Sequence, residues 1–280
     1  MRIAFLAAAL LAAPVGLAHS SPAAAQQAAV DPALTQVLAH ARRDADRARD
    51  EHRHPAETLS FFQVRPGMTV VDYLPAGGWY TRVLVPYLGP QGHYIAMGPD
   101  LTGETNQYFL NSMGGLAEKF AAQAAGWNLG EGARISAFNA DSYPEALDGT
   151  VDVVLSFREM HNQFRFGWLH SDLMTIRRML KPGGLVGLTD HRANENAAYA
   201  ARNGSSGYMR ESDVIALMEV YGFELAAKSE INANPRDTKD YPGGVWTLPP
   251  GLRGVTDETR QRIVAIGESD RMTLLFRKLD

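Results

Sequence analysis

Hydrophobic positions along the chain alternate between two patterns from residue 60 onwards. Short apolar runs predict five buried strands, at 68–74, 92–97, 133–137, 151–157 and 185–189. Segments of helical periodicity predict helices at 79–88, at 107–125, in a stretch that ends at 180, and at 212–221. Strands that alternate with helices are typical of a doubly wound α/β fold with a parallel sheet.

Short apolar runs in the last part of the chain predict two more strands, at 223–229 and 271–276. No helix-length periodic segment lies between them. We expect this pair to form an antiparallel addition at the edge of the sheet. The segment 231–256 contains four prolines and four glycines. Because long irregular segments inside a compact domain are usually functional or disordered, and because this one also holds Tyr241 and Trp246, we expect a flap packed on the sheet's edge.

The N-terminal residues have the layout of a secretory signal. Arg2 precedes eleven apolar residues at 3–13, and the alanines at 23–25 offer the small side chains that a signal peptidase needs. We therefore expect residues 1–25 to be removed and the mature protein to be periplasmic. An uncleaved membrane anchor is the alternative.

Residues 26–54 are predicted to form a helical extension. Asp31-Pro32 is a good helix start, since it joins a capping carboxylate to a proline at the first helical position. The stretch 42–53 is densely charged with both signs, which is typical of a solvated face. His52 and His54 lie two apart without a third ligand, so we predict no metal site.

Composition narrows the classes of function. The chain has 27 basic and 31 acidic residues, a formal charge of −4, and lacks the basic excess of nucleic-acid-binding domains. We expect a small-molecule partner and no nucleic acid. The absence of cysteine excludes disulfides, thiolate metal sites and Cys nucleophiles. No other segment approaches 18 consecutive apolar residues, so no stable membrane insertion is expected; the oligomeric state stays open.

The first strand, turn and helix are the place to expect a cofactor, because ligands of such sheets bind at the carboxyl ends of strands. The sequence there is VVDYLPAGGWYT, from Val70 to Thr81. It is not a P-loop, since no Gly-Lys-Ser/Thr follows, and it lacks the G-x-G-x-x-G spacing of dinucleotide-binding folds. A small-residue turn after an acid still leaves backbone amides free to donate to a nucleoside-bearing ligand.

This turn resembles the first motif of class I S-adenosylmethionine-dependent methyltransferases, Asp/Glu-x-Gly-x-Gly-x-Gly. Aligned on Asp72, the three glycine positions hold Leu74, Ala76 and Gly78. The resemblance is closer to a subgroup of exported, predicted methyltransferases and also covers VDVVLSFREMHNQF, LKPGGLVGLTDHRA, SEINANPRDTKDYPGGVWTLPP and AIGESDRMTLLF. It spans 55–280 and implies a Rossmann-like, doubly wound, mostly parallel seven-stranded sheet with an antiparallel last strand.

The resemblance also implies a site for S-adenosylmethionine. The residues it assigns to the cofactor are Asp72, Pro75, Ala76, Gly77, Gly78, Asp100 and Asp141. Asp72 would face the methionine portion, and Asp141 falls where an acid reads the adenine amine. The acid that normally ends the second strand is replaced by Gly98, and Asp100 follows two residues later. An ordinary tight turn without a ligand is the alternative.

Three further side chains are candidates for catalysis. Arg158 and His161 follow the fourth strand, in the loop that borders the transferable methyl group in this family, and His191 ends the fifth strand. Neighbouring parallel strands are about 5 Å apart, so the two loops are expected to bring these side chains together. An imidazole there would accept a substrate proton near neutral pH, and the guanidinium would bind a carboxylate or phosphate. Loop-holding hydrogen bonds are the structural alternative.

Three functions are compatible with these observations. The favoured one is a methyltransferase that uses S-adenosylmethionine on an unknown small molecule. The second is an exported enzyme that keeps the fold and uses the histidines and arginine for acid–base work on a small anion. The third is a non-catalytic module for a nucleoside-like ligand, with Trp79 and Trp246 as stacking groups.

Overall fold

The computed structural model describes residues 30–280, so the secretory signal predicted at 1–25 lies outside the described residues. Within them, one sheet contains seven strands: β1 (Thr69–Tyr73), β2 (His93–Gly98), β3 (Arg134–Asn139), β4 (Val151–Phe157), β5 (Leu180–His191), β6 (Phe223–Ser229) and β7 (Arg271–Lys278).

The strand order is β3-β2-β1-β4-β5-β7-β6. The first five strands are mutually parallel, whereas β7 is antiparallel to both of its neighbours, β5 and β6. The expected mostly parallel sheet of seven strands with an antiparallel last strand is therefore confirmed. The last two strands are not a simple edge addition, since β7 inserts between β5 and β6 and leaves β6 parallel to the others. The order reverses between β1 and β4, which is the topological switch point.

The described residues contain ten α-helices: α1 (Pro32–Ala39), α2 (Asp50–Arg53), α3 (Pro55–Phe61), α4 (Thr81–Leu88), α5 (Gln107–Met113), α6 (Leu116–Ala125), α7 (Met160–Phe166), α8 (Leu169–Met179), α9 (Glu211–Val220) and α10 (Asp257–Ile266). No helix within residues 30–280 combines the length and apolar character needed to cross a bilayer.

Two helices differ from the sequence prediction. The helix expected over 107–125 is divided into α5 and α6, because Gly115 adopts a left-handed conformation (φ 64°) that favours glycine. Helix α10 was not expected between the last two strands. Its only buried residue is Ile263, so it shows no apolar periodicity, and a capping box between Thr256 and Thr259 begins it instead.

The sheet is covered on both faces. Val70 and Val153 of adjacent strands belong to a core shared with α3, α4 and α6, whereas Val71 and Val154 belong to a second core shared with α8 and α9. Successive residues of a strand point to opposite faces. One close approach limits the choice of side chain: a Cβ at position 187 would lie 2.5 Å from Cγ of Phe62, so the ring of Phe62 requires Gly187.

The charged stretch 42–53 is only in part a solvated face, which corrects the expectation from its composition: Asp44, Arg47 and Glu51 are exposed, but other charged side chains are buried. Arg43 is fully buried and Arg53 is 3% exposed. Their guanidinium carbons lie 4.6 Å from the ring centroid of Trp79, on which both groups stack. Arg43 is also paired with Asp50 at 2.9 Å. These cation–π contacts and ion pairs compensate the burial of the charges.

Glu268, just before β7, joins this stretch to the sheet. Its carboxylate pairs with Arg49 at 2.6 Å, with Arg53 at 3.3 Å and with Arg271 at 3.0 Å. Burial alone would raise the pKa of Glu268, but the charges of Arg53, Arg271 and Arg49 outweigh it and lower the pKa to about 2. The acid therefore stays ionised and balances buried positive charge.

Replacing Glu268 by glutamine should destabilise the protein strongly. The change leaves Arg53 and Arg271 buried without their counter-charge, which typically costs about 3–5 kcal/mol. Urea unfolding at pH 7 measures the loss. Glu224→Gln is the matched control, because Glu224 pairs with Arg277 on the surface at 3.8 Å and should lose less than about 1 kcal/mol. Equal losses in the two variants would contradict this account of the Glu268 cluster.

Candidate functional site

Two cavities lie at the carboxyl edge of the sheet beside the switch point. The first, called here the β1 cavity, has a volume of about 360 Å³ and lies between the turn after β1, helices α5 and α6, and the loop after β4. The second, the histidine cavity, has a volume of about 240 Å³. Glu159 and Asn162 line both cavities, so the two adjoin at the loop after β4.

The turn after β1 has the left-handed backbone angles of a glycine-rich motif, although only one of its three glycine positions holds a glycine. Leu74, Ala76 and Gly78, the three residues aligned with the family's glycines, have φ angles of 48°, 47° and 74°. The left-handed conformation disfavours side chains with a Cβ. Since Leu74 and Ala76 adopt it anyway, the surrounding structure holds this turn firmly. Leu74, Pro75 and Ala76 line the β1 cavity.

Gly77 and Gly78 do not line the β1 cavity. A Cβ at Gly78 would lie 2.6 Å from the ring of Trp127, so this glycine is needed because the indole packs on the turn. The side of the turn that carries Gly78 is therefore a packing surface.

Asp72 points into the core and not into the β1 cavity. It shares a sheet face with Val70, two residues earlier, and that face is covered by α4. Its Oδ2 accepts a hydrogen bond from the hydroxyl of Tyr94 at 2.8 Å, and that hydroxyl lies 2.8 Å from Thr81 Oγ1. Burial raises the pKa of Asp72 to about 7, although the hydrogen bond from Tyr94 lowers it.

The two other acids proposed for the cofactor also lie outside the β1 cavity. Asp100 accepts from the amide of Thr102 and lines a separate cavity of about 260 Å³. Asp141 accepts from the amide of Leu101 at 3.2 Å. A side chain at Gly98 has no room, because its Cβ would lie 2.4 Å from Nδ2 of Asn139. The end of β2 is thus closed to an acid.

Arg158, His161 and His191 are brought together, since all three line the histidine cavity. The centroids of the two imidazole rings are 5.1 Å apart. Both rings are buried, with exposed fractions of 2% for His161 and 8% for His191. The topology achieves this because β4 and β5 are parallel neighbours.

Asp190 holds His161 in place. Its Oδ1 lies 2.9 Å from Nδ1 of His161, and its Oδ2 accepts from the amide of the same residue at 2.7 Å. A carboxylate can only accept, so Nδ1 carries the proton and Nε2 is the basic nitrogen. The hydrogen bonds of His161 within residues 30–280 are made by its amide and Nδ1, which leaves Nε2 on the ring that lines the histidine cavity. This is the arrangement of a general base oriented by an acid.

His191 is held in a different way. Its Nδ1 lies 2.6 Å from the hydroxyl of Ser269. Burial lowers the pKa of His191 well below its ordinary value, and repulsion from any proton on His161 and from the charge of Arg158 adds to the effect. His191 is therefore neutral at physiological pH.

Possible metal-ligating atoms of His161, Asp190 and His191 lie within 4.8 Å of one another. Both oxygens of Asp190 already accept hydrogen bonds, from His161 and from the amide of His191. The guanidinium of Arg158 adds positive charge beside the rings. Saturated oxygens and nearby positive charge disfavour a cation, so the cluster suits proton transfer better than metal binding.

Several residues of this site had no clear signal in the sequence. Asp190, Glu159 and Ser269 acquire their roles only through contacts made in the folded chain. The flap predicted at 231–256 does reach the site: its 245–251 part, including Val245 and Trp246, forms a wall of the histidine cavity. The one sequence signal for this contact was a tryptophan in a segment that is otherwise rich in proline and glycine. Trp79, by contrast, is enclosed by arginines and is not available to stack on a ligand.

Comparison with known proteins gives structural relatives only: no protein-family model matches the chain, and no curated protein matches it. A SAM-dependent methyltransferase from Aquifex aeolicus superposes with a TM-score of 0.51 at 14% identity, over 88% of this chain and 98% of that one. The [4+2]-cyclase SpnF superposes with a TM-score of 0.53 at 15% identity, over 81% and 80%. The chain has the class I methyltransferase fold.

A third similar structure is a chain of the Haloferax volcanii complex between the Trm112 methyltransferase activator and a methyltransferase. Its TM-score is 0.52 at 19% identity, over 90% of this chain and all of that one. At such identities the likeness establishes the fold and not the reaction, because one fold hosts many chemistries.

Asp72→Asn should flatten the pH dependence of stability. A carboxyl with an ordinary pKa of 3.8 and a folded value of about 7 contributes stability that is complete below pH 4 and is lost as the pH rises through 7. The loss between pH 4 and pH 8 is at most about 4 kcal/mol. Chemical unfolding at a series of pH values measures it.

Asp257→Asn is the matched control for this measurement, because Asp257 is fully exposed. It should retain the wild-type slope. Glu159 and Asp172 also have raised pKa values, about 7 and about 6, so some slope remains in the Asp72 variant. An unchanged slope in Asp72→Asn would show that Asp72 titrates normally in the folded protein.

Proposed function

We propose that this protein is an S-adenosylmethionine-dependent methyltransferase that acts on a small molecule. The observation that carries the proposal is the pair of cavities at the switch point, which adjoin at Glu159 and Asn162. A methyl transfer needs a cofactor site and an acceptor site that meet at one point. The fold shared with the Aquifex aeolicus SAM-dependent methyltransferase supports the same assignment.

The residues of the β1 cavity fit the cofactor in part. The turn formed by Leu74, Pro75 and Ala76 has the glycine-type backbone of the family's first motif. Leu116 and Phe120 of α6 supply apolar contacts opposite the turn. The volume of about 360 Å³ is in the range of small-molecule sites. The closed end of β2 at Gly98 means that any ribose contact comes from other residues.

The chain's own residues have two tasks in this proposal. S-adenosylmethionine supplies a methyl group on a sulfonium whose leaving group is a neutral thioether. His161, oriented by Asp190, accepts at Nε2 the proton that the acceptor's hydroxyl or amine releases. Trp246 and Leu248 cover one side of the acceptor with apolar surface. Most of the rate enhancement then comes from positioning.

Glu159 provides a test of the cofactor site that does not need the acceptor. Burial raises the pKa of Glu159 to about 7, against a hydrogen bond from Asn162 that lowers it. At pH 8 the side chain is ionised and favours the sulfonium of S-adenosylmethionine over neutral S-adenosylhomocysteine. One charge–charge interaction of about 1 kcal/mol corresponds to about fivefold in affinity. Calorimetry at pH 8 should show this preference in the wild type and its loss in Glu159→Gln.

Glu258→Gln is the control for Glu159→Gln, since Glu258 lies on the exposed face of α10. It should keep the wild-type preference. If the wild type binds neither ligand at millimolar concentration, the methyltransferase proposal is wrong. The small-anion enzyme and the nucleoside-like binding module then become the leading functions, and Trp79 can be set aside as a stacking group of the latter.

We further propose that the protein belongs to the exported subgroup and works in the periplasm. The support is the arrangement of Arg2, the apolar residues at 3–13 and the alanines at 23–25. Cell fractionation of the native host followed by N-terminal sequencing should find a periplasmic chain that begins at Gln26. A cytoplasmic protein with an intact Met1 would contradict it.

A further inference from the structure

We infer that the histidine cavity binds an oxyanion through Arg158, so that the methyl acceptor carries a carboxylate or phosphate group. The inference depends on the proposed function only in naming the bound molecule as the methyl acceptor. The binding of the anion itself is argued from the cavity.

The first argument is the charge of Arg158. Arg158 is half-buried and lines the cavity, and its guanidinium forms no salt bridge and no hydrogen bond within residues 30–280. The nearby acids are engaged elsewhere. Glu268 pairs with three other arginines. Asp190 accepts hydrogen bonds from the amide and Nδ1 of His161 and from the amide of His191. Glu159 accepts a hydrogen bond from Asn162 at 2.6 Å.

The second argument is the sum of charge around the cavity. Arg49, Arg53 and Arg271 share the single carboxylate of Glu268, so they leave positive potential that Arg158 increases. Burial is the main cause of the lowered pKa values of Arg53, to about 9, and of His191, and the charge of Arg158 adds to both shifts. A bound anion would offset the repulsion between these positive charges.

The third argument is the backbone of Arg158. Its φ angle is 66°, in the left-handed region where glycine is favoured. Its amide donates to the carbonyl of Thr189 at 2.7 Å, which holds this conformation at the end of β4. A glycine here would be less strained, so the structure carries a large cationic side chain at a position that disfavours one. Strain of this kind is concentrated at functional sites.

The shape of the cavity specifies the rest of the ligand. Val245, Trp246, Leu248 and Pro249 form an apolar wall opposite the polar groups of His161 and Ser269. The volume of about 240 Å³ is below the usual range of drug-sized ligands. The acceptor is therefore a small molecule with one apolar face and one oxyanion.

Direct titration with two simple anions tests the inference without cofactor. Inorganic phosphate and benzoate are titrated calorimetrically into the mature chain at constant ionic strength. The wild type should bind at least one of them. A preference for benzoate indicates a carboxylate on an apolar body, and a preference for phosphate indicates a phosphoryl group. Arg158→Gln should weaken binding about tenfold or more, as expected for losing charge-assisted hydrogen bonds.

Two further variants keep the test decisive. Arg158→Gly should lose anion binding while its thermal midpoint equals or exceeds that of the wild type, which separates binding from folding. Arg262→Gln on the exposed surface of α10 removes the same charge and should bind like the wild type. The inference is overturned if the wild type binds neither anion, if Arg158→Gln binds as well as the wild type, or if Arg262→Gln weakens binding equally. Failure of cofactor binding with intact anion binding would reject the proposed methyl transfer alone.

Discussion

The geometry of the site depends most on one buried carboxylate, that of Glu268, and the three guanidiniums around it. Arg49 and Arg53 come from the N-terminal stretch and Arg271 begins β7, so this contact joins chain segments more than 200 residues apart. Glu268 also lines the histidine cavity, and the next residue, Ser269, contacts His191. Buried charges need a counter-charge close by, and Glu268 supplies it to all three guanidiniums. The same pairing therefore stabilises the fold and fixes one side of the cavity.

The sequence predicted the sheet well because both of its faces are covered. Such strands are continuous apolar runs, and β4, read as VDVVLSF, was predicted to the residue. Helix α10 was missed because it buries only Ile263. The burial of Arg43 and Arg53 was also missed, since it depends on the distant partners Trp79 and Glu268. Local composition contains no information about such contacts.

The candidate site was predictable as far as topology determines it. Parallel neighbours end at one edge, and this rule placed Arg158, His161 and His191 around a common cavity. The direction of a side chain follows from packing instead. Asp72 turns towards Tyr94 under α4, so the acid matched to the family's motif lies outside the cavity lining. The position of Trp246 in the cavity wall could not be predicted, because it depends on the path of the flap. The flap is irregular, and its sequence has no periodicity from which that path follows.

The shared wall of the two cavities has a consequence for ligand design. A nucleoside thioether fragment in the β1 cavity and a small acid in the histidine cavity would be separated only by Glu159 and Asn162. Joining the fragments by a short tether would make the second contact intramolecular, at an effective concentration in the millimolar range. Since Asn162 donates a hydrogen bond to Glu159 at 2.6 Å, this pair forms the partition, and its thickness sets the length of tether that an inhibitor spanning both cavities must have.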